Sequence, residues 1–599
     1  MGIVSVIERP VASGANGVWG SDVIADTLRR LGVRYAALTP GSSFRGLHDS
    51  IVNHLGNTSP QMLLCLHEEH AVAIAHGYAK VTGEPLAAIV HSNVGLMHAT
   101  MAVFNAWCDR VPLLLLGATG PVDAAARRPW IDWLHTCRDQ GALIRHYIKW
   151  DDQPASIEAA VEALVRADRI TRTAPHGPVY VNFDVGLQER RVEEAPPAPD
   201  LKRFQPPRPA APPADAVAEA AQLLADAEKI VILAGRTSRS PVDWARRVAL
   251  AEHLGARVIT DIRVGAAFPT DHPLHVGRPA MFLDPVAADA LKAADVILSL
   301  DWLDLSGTLK LGKSAGGKII QVSLDHQLHN GWGMEHQGLP PADIHIASQP
   351  DLAVHAIADA LGVAAGTAPV DAPTQPAVAR AEASAELDIR RLAAALGEGL
   401  EGECVSLVRL PLGWSGDEWH FRHPLDFLGY DGGGGIGSGP GMLIGAALGL
   451  EGSGRLAVAV LGDGDLLMSA SALWTASRYR IPLIAVIANN RSFFNDEVHQ
   501  ERVAVQRGRP VENKWIGQRI AGPDVDIAAL ARAQGVEAIG PVSTAGELAV
   551  AVKQAVEIAR SGAPVVIDAR VVPAYGAGVS AAFAGKAATP AAAIPPANG

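Results

Sequence analysis

Short apolar runs alternate with amphipathic segments along most of the 599 residues. Residues 21–32, SDVIADTLRRLG, place Val23, Ile24, Leu28 and Leu31 at helical spacing, and RYAALTPG after them reads as a buried strand ending in a turn. PLAAIVHS is a second strand, followed by a helix and then VPLLLLGATG. Farther along come KIVILAG, ARVITD, DVILSLDW and KIIQVSL, and later RLAVAVLGDG, PLIAVIANN and APVVIDARVV. These strands are rich in Val, Ile and Leu and lack polar alternation. Strands of that kind, separated by helices, form parallel sheets covered on both faces. The pattern predicts an α/β protein of three doubly wound parallel-sheet domains.

Two proline-rich stretches, residues 194–214 and 362–379, cannot continue a helix or a central strand and read as surface linkers. They set expected domains at 1–193, 215–361 and 380–575, with a flexible low-complexity tail at 576–599. Hydrophobic residues make up 48 % and charged residues 19 %, and the net charge is −12 with no basic run. That balance gives no support to a nucleic-acid or membrane-surface role. No apolar stretch reaches the roughly 18 residues needed to span a bilayer, and the first residues lack a secretory pattern. Cys65, Cys108, Cys137 and Cys404 lie far apart, which argues against a disulfide scaffold or a zinc site. A cytoplasmic protein is the simplest expectation.

The most informative segment runs from Leu456 to Ser492. A buried strand leads into Gly462-Asp463-Gly464, then a helix, then a second buried strand ending at Asn489-Asn490. Ligands of open α/β sheets bind at strand carboxyl ends, where both polar clusters fall. Asp463 offers a carboxylate oxygen and Asn490 an amide oxygen, donors suited to Mg²⁺ or Ca²⁺. The glycines let backbone approach a phosphate, and a following helix N-terminus favours its charge. This strand–GDG–helix–strand–NN order resembles the cofactor motif of thiamine-diphosphate (ThDP) enzymes. The resemblance implies that Asp463, Asn490 and the carbonyl of Ser492 ligate Mg²⁺, and that Gly462, Gly464 and Asp465 border the diphosphate. Many relatives carry Ser or Ala where Asp465 stands. Its carboxylate would repel a diphosphate unless turned away, so its backbone N–H is the expected contact.

In the first block, Leu66-His67-Glu68-Glu69-His70 precedes Gly77-Tyr78-Ala79-Lys80 and Thr82-Gly83. Alone, Glu68 reads as a helix-start carboxylate favoured by the dipole. The segment also resembles the ThDP-family helix whose glutamate lies nine residues before the GYA glycine, which is the spacing of Glu68 from Gly77. The resemblance implies that Glu68 hydrogen-bonds the aminopyrimidine ring and promotes loss of the thiazolium C2 proton, giving the nucleophilic ylid. It also implies a homodimer or homotetramer with active sites between subunits.

Several stretches, SALWTASRYRIPLIAVIANN and HGPVYVNFDV among them, look closest to benzoylformate decarboxylase. By that likeness Ser42, in Pro40-Gly41-Ser42, contacts the substrate carboxylate, and His91, 23 residues after Glu68, is catalytic. A satisfied core histidine is the structural alternative for His91. His272 matches a central-domain histidine of that family more weakly. On the loop Gly432–Met442, Ile436 or Pro440 supports the bent cofactor, with Ile436 preferred on chemical grounds. Phe493, Phe494, Asn495 and His499 open a segment unlike the decarboxylase's, continuing as the polar, basic RGRPVENKWIGQR, which could line an acid-binding entrance. The chain also resembles acetolactate synthases. FAD is not expected, because ILAGRTSRS in the second block has one glycine and no downstream acidic pattern. The expected activity is 2-oxoacid decarboxylation, by ylid attack on a carbonyl and C–C cleavage. The alternative is carboligation onto an aldehyde or second carbonyl. A nucleotide-binding oxidoreductase is disfavoured because the Gly432–Gly441 run follows no strand. A non-catalytic regulatory paralogue is disfavoured by the presence of Glu68, Asp463 and Asn490.

Overall fold

Unalternated Val, Ile, Leu and Ala become strands buried on both faces in the computed structural model, which describes residues 8–11, 17–312, 316–325, 338–373 and 376–573. The expected tail at 576–599 lies outside the described residues. In the first third, β1 (Val18–Trp19) pairs antiparallel with β8 (Arg191–Val192). Between them run β2 (Tyr35–Leu38), β3 (Gln61–Leu64), β4 (Ala87–Val90), β5 (Leu113–Thr119), β6 (Trp150–Asp152) and β7 (Pro178–Asp184). These form one parallel sheet in the order β3-β2-β4-β5-β7-β6.

The central sheet holds β9 (Ile230–Ala234), β10 (Arg257–Thr260), β11 (Val296–Leu300), β12 (Lys318–Val322) and β13 (Ile344–Ile346). Its order is β10-β9-β11-β12-β13, again parallel. The last sheet is β14 (Val405–Arg409), β15 (Leu456–Gly462), β16 (Leu483–Asn489), β17 (Glu537–Val542) and β18 (Pro564–Arg570), parallel in the order β14-β15-β16-β18-β17. The protein is thus α/β with three parallel sheets. Between the first two sheets, residues 193–213 carry only a short 3₁₀ turn, Leu201–Arg203. Among the described residues, no helix is long and apolar enough to cross a membrane.

The first and last sheets share a core. Helix Glu68–Thr82 packs on helix Gly439–Gly449, and residues of both belong to one buried apolar cluster. Glycine makes the approach possible. A Cβ at Gly77 would stand 2.0 Å from the Met442 carbonyl, and one at Gly445 1.9 Å from the Ile74 carbonyl. The same junction is polar at one end, where buried Lys80 donates to Asp109 and to the Tyr430 carbonyl, and His76 Nε2 lies 2.8 Å from Asp109. The helix that Glu68 opens is therefore packed directly against the last block.

Candidate active site

β15 and β16 are neighbours, with Gly462 opposite Ala488, so the residues following each strand meet at one edge. Asp463 is 3 % exposed there. Its Oδ1 accepts the Gly464 N–H at 3.0 Å, while Oδ2 is buried with no hydrogen-bond partner. Burial pushes this carboxyl up to about 6, against the opposing pull of the Gly464, Arg491 and Ser492 backbone amides. Beside it, Asn490 Oδ1 accepts the Ser492 N–H at 2.9 Å, and Ser492 Oγ donates to Glu497 at 2.5 Å. Arg491, between them, has φ +57°, which turns the chain sharply at the strand end. A buried carboxylate oxygen without a donor is costly unless a cation neutralises it. An oxygen-only donor set with one such orphan fits a hard divalent ion.

These groups border a cavity of about 590 Å³, lined by Ile436, Gly462, Asp463, Gly464, Asn490 and Ser492. Space above Gly462 is open, whereas a Cβ at Gly464 would meet the Phe493 ring at 2.6 Å. The two glycines thus serve different ends: one leaves room for a ligand, the other for an aromatic wall. Ile436 faces this cavity. Pro440 lies buried in the first turn of helix Gly439–Gly449 and is not part of the lining.

Asp465 also borders this cavity, but its carboxylate is taken up by partners in its own chain. Its Oδ1 accepts the N–H groups of Gly437 (2.6 Å) and Gly439 (3.3 Å), and its Oδ2 accepts Arg409 Nε at 2.9 Å. Arg409 pairs at the same time with Asp431 at 2.5 Å. The side chain therefore clamps the glycine-rich loop that carries Ile436. Removing Asp465 leaves Arg409 with Asp431 alone and takes the acceptor from the Gly437 and Gly439 N–H groups, a loss from a buried network. Asp465→Ala should accordingly destabilise the protein by about 3 kcal/mol, lowering its denaturation midpoint. An unchanged midpoint would show that the clamp is dispensable.

Glu68 begins helix Glu68–Thr82 behind the cap residue His67, whose ring accepts the Glu69 N–H at 3.2 Å. It is 8 % exposed, and its Oε2 lies 3.1 Å from Nδ1 of His98, whose ring stacks on His67 at 4.8 Å. Gly95 makes room for the carboxylate, since a Cβ there would stand 3.0 Å from Glu68 Oε1. The adjacent Glu69 goes elsewhere. Its Oε1 lies 3.7 Å from the Cβ position of Gly437, and burial, with Asp465 nearby, raises its carboxyl. Two neighbouring carboxylates thus face different surroundings.

His91 directly follows β4 and is the N-cap residue of helix Ser92–Cys108. Its Nδ1 lies 2.8 Å from Ser43 Oγ and its Nε2 3.2 Å from His135 Nδ1. Burial, with His135 adjacent, lowers the His91 imidazole, partly offset by Glu68. The serine against His91 is buried Ser43. Ser42, its neighbour, uses its carbonyl to accept Arg45 Nη1 at 2.9 Å. The structure gathers Ile436, Gly462, Asp463, Gly464, Asn490 and Ser492, but Glu68, Ser42 and His91 do not line their cavity. His272 is also apart from it, its Nε2 3.2 Å from Glu252 in the central domain. Ser43, His98 and His135 were not among the residues the sequence singled out.

Residues 18–143 match the N-terminal TPP binding domain of thiamine pyrophosphate enzymes, residues 217–331 their central domain, and residues 412–569 their C-terminal TPP binding domain. Thiamine pyrophosphate is ThDP under its other name. A "probable 2-ketoarginine decarboxylase" of Pseudomonas aeruginosa is 26% identical over 461 residues, covering 75% of this chain and 77% of that protein. The acetolactate synthase of Bacillus subtilis is 23% identical over 556 residues, covering 87% and 92%. The solved structure of benzoylformate decarboxylase from Polynucleobacter necessarius shares the fold, with TM-score 0.74 at 22% identity over 93% of this chain and 99% of that one. With all three domains matched in order, the chain belongs to the thiamine pyrophosphate enzymes, in the class that holds the ThDP-dependent decarboxylases and acetolactate synthases.

Proposed function

We propose that the protein is a Mg²⁺-dependent 2-oxoacid decarboxylase, similar to benzoylformate decarboxylase, whose active site is completed by a second copy of the chain. The likeness to benzoylformate decarboxylases supports the reaction, and the separation of two half-sites supports the second copy. Asp463 and Asn490 border one cavity, while Glu68 lies outside it beside an uncovered apolar helix face. On helix Ser92–Cys108, which also carries His98, Val94 (36%), Met97 (54%) and Met101 (36%) are exposed at helical spacing. Large apolar groups in a stripe next to a buried carboxylate suit a self-complementary, two-fold contact.

In this reading Asp463, Asn490 and the Ser492 carbonyl hold the cation, with Ca²⁺ as a substitute, and the open face of Gly462 admits the diphosphate. Ile436, in the cavity wall, would pack against the cofactor. Glu68 of the partner copy holds a proton at the aminopyrimidine. When bound, ThDP supplies the carbon nucleophile for the substrate carbonyl and the electron sink for C–C cleavage. Ser42 contacts the substrate carboxylate, and an imidazole of the His91 region returns the proton that replaces the lost CO₂.

The relatives include acetolactate synthases, so carboligation is the second reading. The two differ in product. With ThDP, Mg²⁺ and a panel of 2-oxoacids, aldehyde and CO₂ should accumulate in equal amounts. An acyloin or 2-hydroxy-2-acyl acid as the main product would replace decarboxylation by carboligation.

A further inference from the structure

His91 has no ring nitrogen left for a substrate. The Ser43 backbone N–H points at His91 Nδ1 (3.4 Å), and a backbone N–H only donates, so Nδ1 is the acceptor there and neutral His91 carries its proton on Nε2. That proton faces His135 Nδ1 at 3.2 Å. His135 then carries its own proton on Nε2, an atom with no hydrogen-bond partner among the described residues and not enclosed by protein. The two rings meet edge-on, at 88° and 4.7 Å between centroids.

The turn that holds His135 is fixed to the same helix start as His91. Ser92 Oγ donates to the His135 carbonyl at 2.9 Å, and Asn93 Nδ2 to the Leu134 carbonyl at 3.2 Å. Ser92 has φ +51°, a conformation rare for a side-chain-bearing residue, and it is what lets strand β4 turn directly into the helix with His91 at the corner. Beside His135 the turn is open, with Trp133 78% and Leu134 45% exposed. A strained corner and two side-chain anchors thus present one imidazole nitrogen outward and tie up both nitrogens of the other.

We propose that His135 is the substrate-facing acid–base group of a Ser43–His91–His135 relay, and that His91 positions it. This rests on the decarboxylase reading above. Two imidazolium ions at this distance repel, so the pair carries at most one extra proton. In the charged pair, His91 Nδ1–H donates to Ser43 Oγ, a hydroxyl that both donates and accepts. When His135 Nε2 gives its proton to the reacting substrate, the proton between the rings moves from His91 Nε2 to His135 Nδ1. His91 is left transiently with its proton on Nδ1, directed at Ser43 Oγ (2.8 Å) with the longer Ser43 N–H contact (3.4 Å) given up, and water returns one proton to His135 Nε2. One proton leaves the pair and one enters it.

Two measurements on the full-length protein test the order of the relay. In the cofactor-free protein, diethyl pyrocarbonate, which acylates open imidazole nitrogens, should modify His135 at least about tenfold faster than His91 by peptide mass spectrometry. In His135→Ala, His91 should become reactive, because its Nε2 is uncovered. Modification of His91 as fast as His135 in the wild type would overturn the proposal. In turnover, His135→Asn keeps an acceptor for His91 but loses the outer nitrogen, and should lower kcat about a hundredfold with KM nearly unchanged. His91→Gln keeps a donor toward His135 and should cost no more than about fivefold. The reverse order of effects makes His91 the substrate-facing group and ends the proposal. A wild type with this labelling order but no turnover of any 2-oxoacid refutes the decarboxylase reading instead and leaves the relay's geometry standing.

Discussion

Glu68→Gln should slow hydrogen–deuterium exchange at C2 of bound ThDP by at least about a hundredfold, or about 2.7 kcal/mol on the barrier. The side chain sits at a helix start, nearly buried, in space that Gly95 leaves open and in contact with His98. Glutamine fills the same space and still offers His98 an amide oxygen, so folding and assembly should persist. What it lacks is the carboxylate that can hold a proton against the aminopyrimidine. Glu69→Gln is the internal control. Glu69 faces Gly437 and Asp465 of its own chain, so its replacement should leave exchange nearly unchanged. Loss of exchange in Glu69→Gln but not in Glu68→Gln would move the activating role by one residue.

The second large effect is expected at the metal. Dialysis against EDTA should release ThDP from the wild type, and Mg²⁺ should restore binding. Asp463→Ala should weaken ThDP binding at least about a hundredfold, about 2.7 kcal/mol, with no rescue by added Mg²⁺. The reason is local. Asp463 Oδ2 is the buried oxygen left without a donor, and Asn490 is the only other predicted side-chain ligand at that edge. Tight ThDP binding by Asp463→Ala in the absence of metal would remove the cation from the site.

The C-terminal half of the site was legible in the sequence because its parts are contiguous. Strand, GDG turn, helix, strand and NN follow one another, and adjacent parallel strands bring their ends together whatever surrounds them. The three sheets were legible for a similar reason, since unalternated β-branched runs have one environment in which they are stable. Contacts between distant segments left no such trace. Gly77 meets Met442, and Asp465 meets Arg409 and Gly437, through tertiary packing that no local period encodes. Motif position chose Ser42, whereas the turn geometry after β2 puts Ser43 against His91. His135 lies in a short turn without periodicity, so nothing in the chain marked it. His98 carried a weak signal, on the helix that follows His91, but its pairing with Glu68 depends on how two helices cross.

The shared site can be tested by mixing two inactive proteins. If Glu68 of one copy serves the cavity of Asp463 in the other, Glu68→Gln and Asp463→Ala proteins should each show little C2 exchange alone. After dissociation and random reassociation in equal amounts, about half the dimers contain both chains, and one of their two sites is intact. Exchange should therefore return to about a quarter of the wild-type rate in the presence of ThDP and Mg²⁺. A mixture that remains as slow as its parents, with mixed dimers demonstrated by native mass spectrometry, would contradict a site built from two copies.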